Sequence, residues 1–138
     1  MRTMSPDQAL AFLAEGARTA MVATTMRDGG PHVVPVWVRL EGERIAFFTQ
    51  RGSRKAQNLA RDPRVALSLT DFENPYVSAW IRGRVVETLE DDAALEVIDR
   101  ISQKYTGKPF PMRSGVVFLI EPERSALVQV PFAHTPPA

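Results

Sequence analysis

The sequence contains no cysteine, and it has only two histidines and three lysines among its 138 residues. The absence of cysteine excludes disulfides, thiolate nucleophiles and cysteine-based metal sites. The two histidines, His32 and His134, are too few to build a histidine-rich metal cage. We therefore expect neither a metal centre nor covalent catalysis by a thiolate.

Long apolar runs and a strong excess of one charge are also lacking. No apolar run approaches the roughly 20 residues of a membrane span, and the first residues lack the basic-then-apolar pattern of a signal peptide. The net charge of +1 provides no basic field for nucleic acid. We expect a cytoplasmic protein that binds neither membranes nor nucleic acid, with residues 1–138 forming one domain.

The usual catalytic motifs are missing as well. The glycines form neither a G-x-G-x-x-G nor a Walker pattern, and no G-x-S-x-G occurs. No serine has an evident histidine partner, so a Ser–His hydrolase is not expected. We assign no catalytic residue, and any redox or transfer chemistry is expected to belong to a bound cofactor.

Periodicity and turn signals predict three helices and about six antiparallel strands. Ser5-Pro6-Asp7-Gln8 has the pattern of a capping box at a helix start. Helices are predicted over 6–15, 53–61 and 91–105, and strands over 19–26, 32–40, 44–49, 64–71, 77–88 and, as one strand or a pair, 115–120 with 124–130. A Pro-rich tail, 131–138, follows. This order favours a small closed barrel of mainly β (α+β) class with helices at its ends.

Two residues inside predicted strands carry specific expectations. Proline cannot donate to a sheet ladder, so Pro35 marks an edge strand, a bulge, or backbone that faces a ligand. Gly83, in the middle of the long strand 77–88, is typical of a bulge or a barrel corner.

The stretch Ile45–Leu59 combines an apolar strand, a glycine-containing turn and a helix start with two cations. Arg54 and Lys55 lie where the helix dipole prefers anions, which is locally unfavourable. A bound phosphate would reverse that penalty, because free backbone N–H groups, hydroxyls and both cations would converge on it. The alternative, a solvated helix start whose cations point into water, is about equally consistent with the local sequence.

Other candidates also admit two interpretations. Trp37 and Trp80 lie on different strands, and each is either a core residue or a face for a flat ligand. Arg82 and Arg84 form either a solvated strand face or a second cationic patch. His32 is expected at an exposed strand entrance.

A set of short motifs resembles a known family. The sequence is similar, from about residue 7 to 128, to the split β-barrel flavin-binding superfamily that includes pyridoxamine 5′-phosphate oxidase, and most similar to its short members that use the deazaflavin coenzyme F420. The motifs that carry the resemblance are Gly30–Trp37, Phe47–Thr49, Ser53–Lys55, Asn58-Leu59, Asp62–Leu67 and Ile81–Arg84.

The resemblance implies a fold, an assembly and a site. It implies a six- to seven-stranded antiparallel split β-barrel with short flanking helices, which forms a homodimer with a cofactor in each of two grooves between subunits. By this resemblance the phosphate would be held by Thr49, Ser53, Arg54 and Lys55, and the tricyclic ring would lie along Pro35, Val36 and Trp37. Phe48 and Gln50 complete the cofactor-binding set, and Ser78 and Trp80 would reach the cofactor around the dimer interface.

The implied activity is an F420-dependent oxidoreductase that transfers a hydride between the deazaflavin and a conjugated, small organic acceptor. Arg51, Arg82 and Arg84 are candidates for a cationic lane along the anionic tail of F420. The first alternative is an FMN-binding oxidoreductase with the same phosphate site. The second is a non-catalytic cofactor- or haem-binding protein, with His32 or His134 as the haem ligand. Pyridoxine chemistry is not expected, because residues 129–138 offer only the Pro-rich tail.

Overall fold

The protein, described by a computed structural model over residues 2–133, 135 and 137, consists of one antiparallel sheet and three helices. The helices are α1 (Pro6–Ala14), α2 (Arg54–Arg61) and α3 (Asp91–Thr106). The strands are β1 (Arg2–Met4), β2 (Ala20–Thr25), β3 (Pro31–Val36), β4 (Val38–Glu41), β5 (Arg44–Thr49), β6 (Arg64–Thr70), β7 (Val77–Leu89) and β8 (Val116–Gln129). Within these described residues, no helix is long and apolar enough to cross a membrane.

The order of the strands shows how the sheet closes. Neighbouring strands follow the order β3-β2-β6-β7-β8-β5-β4, and β1 pairs with the end of β8. Strands β3 and β4 thus lie at opposite ends of the sheet, yet only Trp37 separates them in the chain. The sheet must therefore curl until its two ends meet at Trp37. This arrangement is the split β-barrel of mainly β (α+β) class that the family resemblance implies.

Apolar side chains fill the barrel and also cover part of its outer surface. The inner cluster includes Val22, Phe47 and Ile81, with Phe12 and Leu13 of α1 packed against them. A second cluster joins α3 to the outer face of β5 and β8. Strand β5 is therefore buried on both faces, which explains its continuous apolar run. No helix of the described chain covers the outer face of β2, β3, β6 and β7 in this way.

The strand count differs from the prediction for two reasons. The predicted strand 32–40 is wrong as a single element. Residues up to Val36 form β3 and pair with β2, whereas residues from Val38 onward form β4 and pair with β5. Strand β1, only three residues long, was not predicted. The last strand is continuous from Val116 to Gln129, with irregular pairing near Pro122.

The capping box and the two strand expectations are confirmed. Ser5 and Gln8 exchange hydrogen bonds at the start of α1. Pro35 lies on β3, which is an edge strand of the sheet. At Gly83 the pairing of β7 with β8 shifts register, and a Cβ placed on Gly83 would lie only 2.4 Å from the carbonyl oxygen of Glu121. Gly83 is therefore required by the close approach of two backbones.

Candidate functional site

The start of α2 is built by a small hydroxyl network. Thr49, the buried last residue of β5, donates its Oγ1 hydrogen to Ser53 Oγ at 3.0 Å. Ser53 is the N-cap of the helix, and its Oγ accepts the backbone N–H of Ala56 at 3.2 Å. Because Ser53 accepts from both neighbours, its own hydroxyl hydrogen remains to donate to a ligand.

Lys55 adds a cation without a countercharge. Its side chain is half-buried and lines a groove, and it forms no ion pair with the described part of the chain. Burial lowers the pKa of Lys55 from its ordinary value. The first intrahelical bond runs from Gln57 N to the Ser53 carbonyl at 2.9 Å, so the N–H groups of Arg54 and Lys55 lie ahead of it. Together these donors form a site suited to an anion.

The groove beside Lys55 has a volume of about 370 Å³, and apolar residues make up five of the seven that line it. It lies between the end of β3, the end of β5 and the start of α2. Its lining residues are Thr19, Pro35, Val36, Trp37, Phe48, Lys55 and Phe110. We call this site the aromatic groove. It joins flat apolar surfaces to a single cation, and it contains no Asp, Glu or His in its lining.

Trp37 is the central wall of the aromatic groove. Its indole stacks on Tyr105 with 5.0 Å between ring centroids and 10° between planes. It also meets Phe48 and Phe110 edge-on at 6.4 Å and 6.3 Å. Such offset and edge contacts hold aromatic rings in defined orientations. Trp37 is thus fixed in place before any ligand binds.

Two consecutive residues of α3 hold the chain where β3 gives way to β4. Tyr105 Oη accepts the N–H of Val38 at 3.0 Å and donates to the carbonyl of Arg18 at 2.5 Å. Lys104 Nζ donates to the carbonyls of Val38 at 2.8 Å and Leu13 at 3.0 Å. Burial lowers the pKa of Lys104 to about 8 and raises that of Tyr105. These contacts satisfy both backbone groups of Val38 and hold the neighbouring Trp37 in place.

A second clamp holds Phe110, which lines the groove beside Trp37. Asp99 accepts the N–H of Phe110 at 3.2 Å and two guanidinium contacts from Arg113 at 2.8 and 3.0 Å. Arg113 also donates to the Phe110 carbonyl at 2.9 Å. The hydrogen bond from Arg113 lowers the pKa of Asp99, so this carboxylate stays ionised and keeps the loop fixed.

The structure gathers many of the predicted cofactor-binding residues at this groove. Five of the eleven line it: Pro35, Val36, Trp37, Phe48 and Lys55. Thr49 and Ser53 build the adjoining helix cap. Gln50 faces Ser114, with contacts of 3.5 Å to its backbone and its hydroxyl. Arg54 is exposed, donates to Gln57 at 3.1 Å, and is not among the residues that line the groove.

Ser78 and Trp80 lie elsewhere in the subunit. They alternate with the buried Ala79 and Ile81, so they project from the outer face of β7. Trp80 is 40% exposed and lines an apolar depression with Met21 and Val33, which are 41% and 52% exposed. We call the surface of Met21, Val33 and Trp80 the outer patch. Within one chain, this patch does not contribute to the aromatic groove.

The candidate cationic lane is largely neutralised. Arg51 pairs with Glu90 at 3.1 Å and with Asp91 at 3.0 Å. Arg84 approaches Glu123 at 4.0 Å. Arg82 lines the depression at the outer patch rather than the groove. The structure therefore does not support a continuous lane through Arg51, Arg82 and Arg84 within one subunit.

The expectation for His32 is wrong in one respect. His32 is half-buried rather than exposed, and its Nδ1 is enclosed by the protein. It lies opposite Thr24 on the inner face of the β2–β3 hairpin and does not line the groove. His134 lies outside the described residues. The described part of the chain contains no group of three or more His, Cys, Asp or Glu able to hold a metal ion.

Sequence reasoning missed Thr19, Phe110 and Tyr105. Phe110 lies between two prolines in a predicted loop, and an aromatic in such a rigid loop could have suggested a fixed wall. Tyr105 was predicted only as the end of a helix. Its role depends on contacts with Trp37 and Val38, which no local pattern reveals.

The chain is similar to known proteins in sequence and in fold. The family model described as pyridoxamine 5′-phosphate oxidase matches residues 5–129. No match was found among curated proteins. A solved structure named F420 reductase is 26% identical, with a TM-score of 0.73, over 83% of this chain and 93% of that one.

Two further solved structures share the fold. A conserved hypothetical protein from Mycobacterium tuberculosis is 26% identical, with a TM-score of 0.76, over 98% of this chain and 94% of that one. A FAD-binding protein from Mesorhizobium loti is 22% identical, with a TM-score of 0.71, over 94% and 97% of the two chains. The chain belongs to the pyridoxamine 5′-phosphate oxidase family, within the superfamily of split β-barrel proteins that bind flavins or F420.

Proposed function

We propose that the protein is a homodimeric oxidoreductase that uses F420 and transfers a hydride between this cofactor and a conjugated, small organic acceptor. The observation that carries this proposal is Lys55, a half-buried cation that lies at the end of an aromatic groove and has no counterion among the described residues. A phosphate-bearing cofactor with a flat ring complements both features.

Each part of the groove has a role in this proposal. Ser53 Oγ, Lys55 Nζ and the first N–H groups of α2 would bind the phosphate. Trp37 and Phe48 would pack against the ring and exclude water from one of its faces. F420, when bound, supplies the hydride at C5 of its ring. Because the groove lining contains no Asp, Glu or His, the proton that completes the reduction would come from solvent.

Strand β3 offers backbone groups to the ring. It is an edge strand, so the N–H and C=O groups that point away from β2 have no partner in the sheet. Pro35 removes one donor there. The next residue, Val36, is paired with Ala20, so its backbone groups face β2, and Trp37 just beyond the strand is left to contact the polar edge of the ring. This use of an edge strand explains why a proline is tolerated beside the site.

The choice of F420 rests on the sequence resemblance and on the 26% identical structure named F420 reductase. The FMN alternative is favoured by one specific observation, the pairing of Arg51 with Glu90 and Asp91. FMN ends at its phosphate, whereas F420 carries an anionic tail that benefits from free cations. A non-catalytic haem-binding role has less support, because His32 lies away from the groove.

The homodimer is proposed to form through the outer patch. Met21, Val33 and Trp80 expose apolar surface on a sheet face that no helix of the described chain covers, and a second copy of the chain would bury it. We expect the wild-type protein to sediment as a dimer and Trp80→Glu as a monomer. Val86→Glu is the matched control, because Val86 is 46% exposed on the same strand but outside the patch. A monomeric wild type would contradict the interface.

Parallel titrations of the purified protein with F420, FMN and haem test the function. We expect tight F420 binding, weaker FMN binding and, with reduced F420, turnover of a conjugated acceptor. Preferential FMN binding would keep the site and replace the cofactor. Binding of haem alone, or of none of the three, would refute the proposal.

A further inference from the structure

A small polar cluster lies beneath α2, in an otherwise apolar region. Asn58 is fully buried and Thr24 is only 3% exposed. Asn58 Nδ2 donates to Thr24 Oγ1 at 3.0 Å and contacts Met26 Sδ at 3.5 Å. A buried amide on a short helix is costly unless its polar atoms are satisfied, so this cluster calls for an explanation.

Two atoms of the cluster have unused hydrogen-bonding capacity. Asn58 Oδ1 and His32 Nδ1 are buried and have no partner among the described residues. Thr24 and His32 are cross-strand partners in β2 and β3, so their side chains share the inner face of the hairpin. Thr24 also keeps its hydroxyl hydrogen, because its Oγ1 accepts from Asn58. An acceptor, a donor and an imidazole nitrogen, all linked through Thr24, offer the kinds of polar partner that an internal water needs.

The cluster is directly connected to the anion site. Helix α2 has eight residues, and only Asn58 and Leu59 are buried among them. Leu59 contributes apolar packing, which is not directional, whereas the Asn58–Thr24 hydrogen bond fixes how the helix is rotated and placed. Lys55 lies three residues before Asn58, so it is on the adjacent turn of the same face of the helix.

We propose that Asn58, Thr24 and His32, bridged by one internal water, form a positioning device for the anion site. They fix α2 on the β2–β3 hairpin and so set the positions of Lys55 Nζ and Ser53 Oγ at the end of the groove. The proposal rests on the proposed function, because it concerns the phosphate that these two groups would bind. Asn58 is in this sense a positioning residue that need not touch the cofactor.

The ratio of the dissociation constants of riboflavin and FMN tests the positioning. This ratio isolates the contribution of the phosphate, since the two ligands share the same ring. Thr24→Val removes the hydroxyl while keeping the shape, and we expect it to lower the ratio about three- to tenfold. Thr24→Ser keeps the hydroxyl and should retain the wild-type ratio. If the wild type prefers F420, then F420 and its phosphate-free chromophore replace the flavin pair.

The same substitution made in a Lys55→Met protein separates positioning from general destabilisation. In a Lys55→Met protein, Thr24→Val should change the ratio little further, because Thr24 acts through the placement of Lys55. If Thr24→Val leaves the ratio of the dissociation constants unchanged, whether or not it weakens the binding of both ligands, the positioning role is overturned. A wild-type ratio of one would instead overturn the phosphate site itself, and the positioning role with it.

A high-resolution crystal structure tests the water. We expect solvent density within hydrogen-bonding distance of both Asn58 Oδ1 and His32 Nδ1 in the wild type. In Thr24→Val this density should weaken or shift, because one of its three polar neighbours is gone. Direct contact between the Asn58 amide and the His32 ring, with no solvent between them, would refute the bridging water.

Discussion

Replacement of Lys55 by methionine separates binding from folding. The ammonium is half-buried and has no counterion in the described chain, and burial lowers its pKa, so its charge does not stabilise the free protein. A charge-assisted hydrogen bond to phosphate contributes about 1.5–3 kcal/mol, which corresponds to a roughly 10- to 150-fold loss of cofactor affinity in Lys55→Met. The free energy of unfolding should stay the same or rise.

Isothermal titration calorimetry measures the affinity, and urea unfolding measures the stability. Arg54→Met is the matched control, because Arg54 is exposed and bonded to Gln57. We expect Arg54→Met to cost at most about 1 kcal/mol of binding, and Lys55→Arg to keep most of it. Equal losses in Arg54→Met and Lys55→Met would refute the argument that the groove-lining cation dominates. A large loss of stability in Lys55→Met would refute the claim that its charge is uncompensated.

Three further predictions concern stability, each measured by urea unfolding. Gly83→Ala should lower the free energy of unfolding by about 1–3 kcal/mol, because its Cβ would lie 2.4 Å from the Glu121 carbonyl; an unchanged midpoint would contradict the close approach. Tyr105→Phe should cost about 1–3 kcal/mol, because it leaves the buried N–H of Val38 without its acceptor; a neutral effect would contradict the clamp. Burial lowers the pKa of Lys104 to about 8 in the folded state, so between pH 8 and 10 the unfolded chain binds more protons at this residue than the folded chain does. The stability of the wild type relative to Lys104→Met should therefore rise with pH over this range. A stability difference that does not depend on pH would count against the buried ammonium.

Local signals predicted the elements that depend on neighbouring residues. The capping box at Ser5, the strand Arg44–Thr49 and the helix start after Ser53 all follow from short patterns, and the structure has each of them. The bulge at Gly83 was likewise visible, because a glycine inside a long strand has few other uses. The cation beside a helix start was also apparent in the sequence.

Long-range contacts decided what the sequence could not predict. Nothing between Pro35 and Leu40 interrupts the strand pattern, yet the chain breaks at Trp37. The break is stabilised by Lys104 and Tyr105, which bind Val38 from more than 60 residues away. Strand β1 is too short to show a period, and it forms only by pairing with the far end of β8.

In the candidate site, too, local sequence predicted some residues, and long-range contacts decided the others. Lys55 and Ser53 could be found because strand, turn and helix follow one another in the chain. Tyr105 could not, because it supports Trp37 from α3 and only the fold brings the two together. Phe110 gave a weak local signal, an aromatic between two prolines, but its contact with Trp37 also depends on the fold. The pairing of Arg51 with Glu90 was also beyond local reasoning, and it removed one of the predicted cations.

The crystal structure of the protein with its tightest-binding cofactor, F420 or FMN, tests the central claim most directly. We predict a phosphate within hydrogen-bonding distance of Ser53 Oγ and Lys55 Nζ, with the ring against Trp37 and Phe48. A phosphate bound elsewhere, or a ring outside the aromatic groove, would contradict the account.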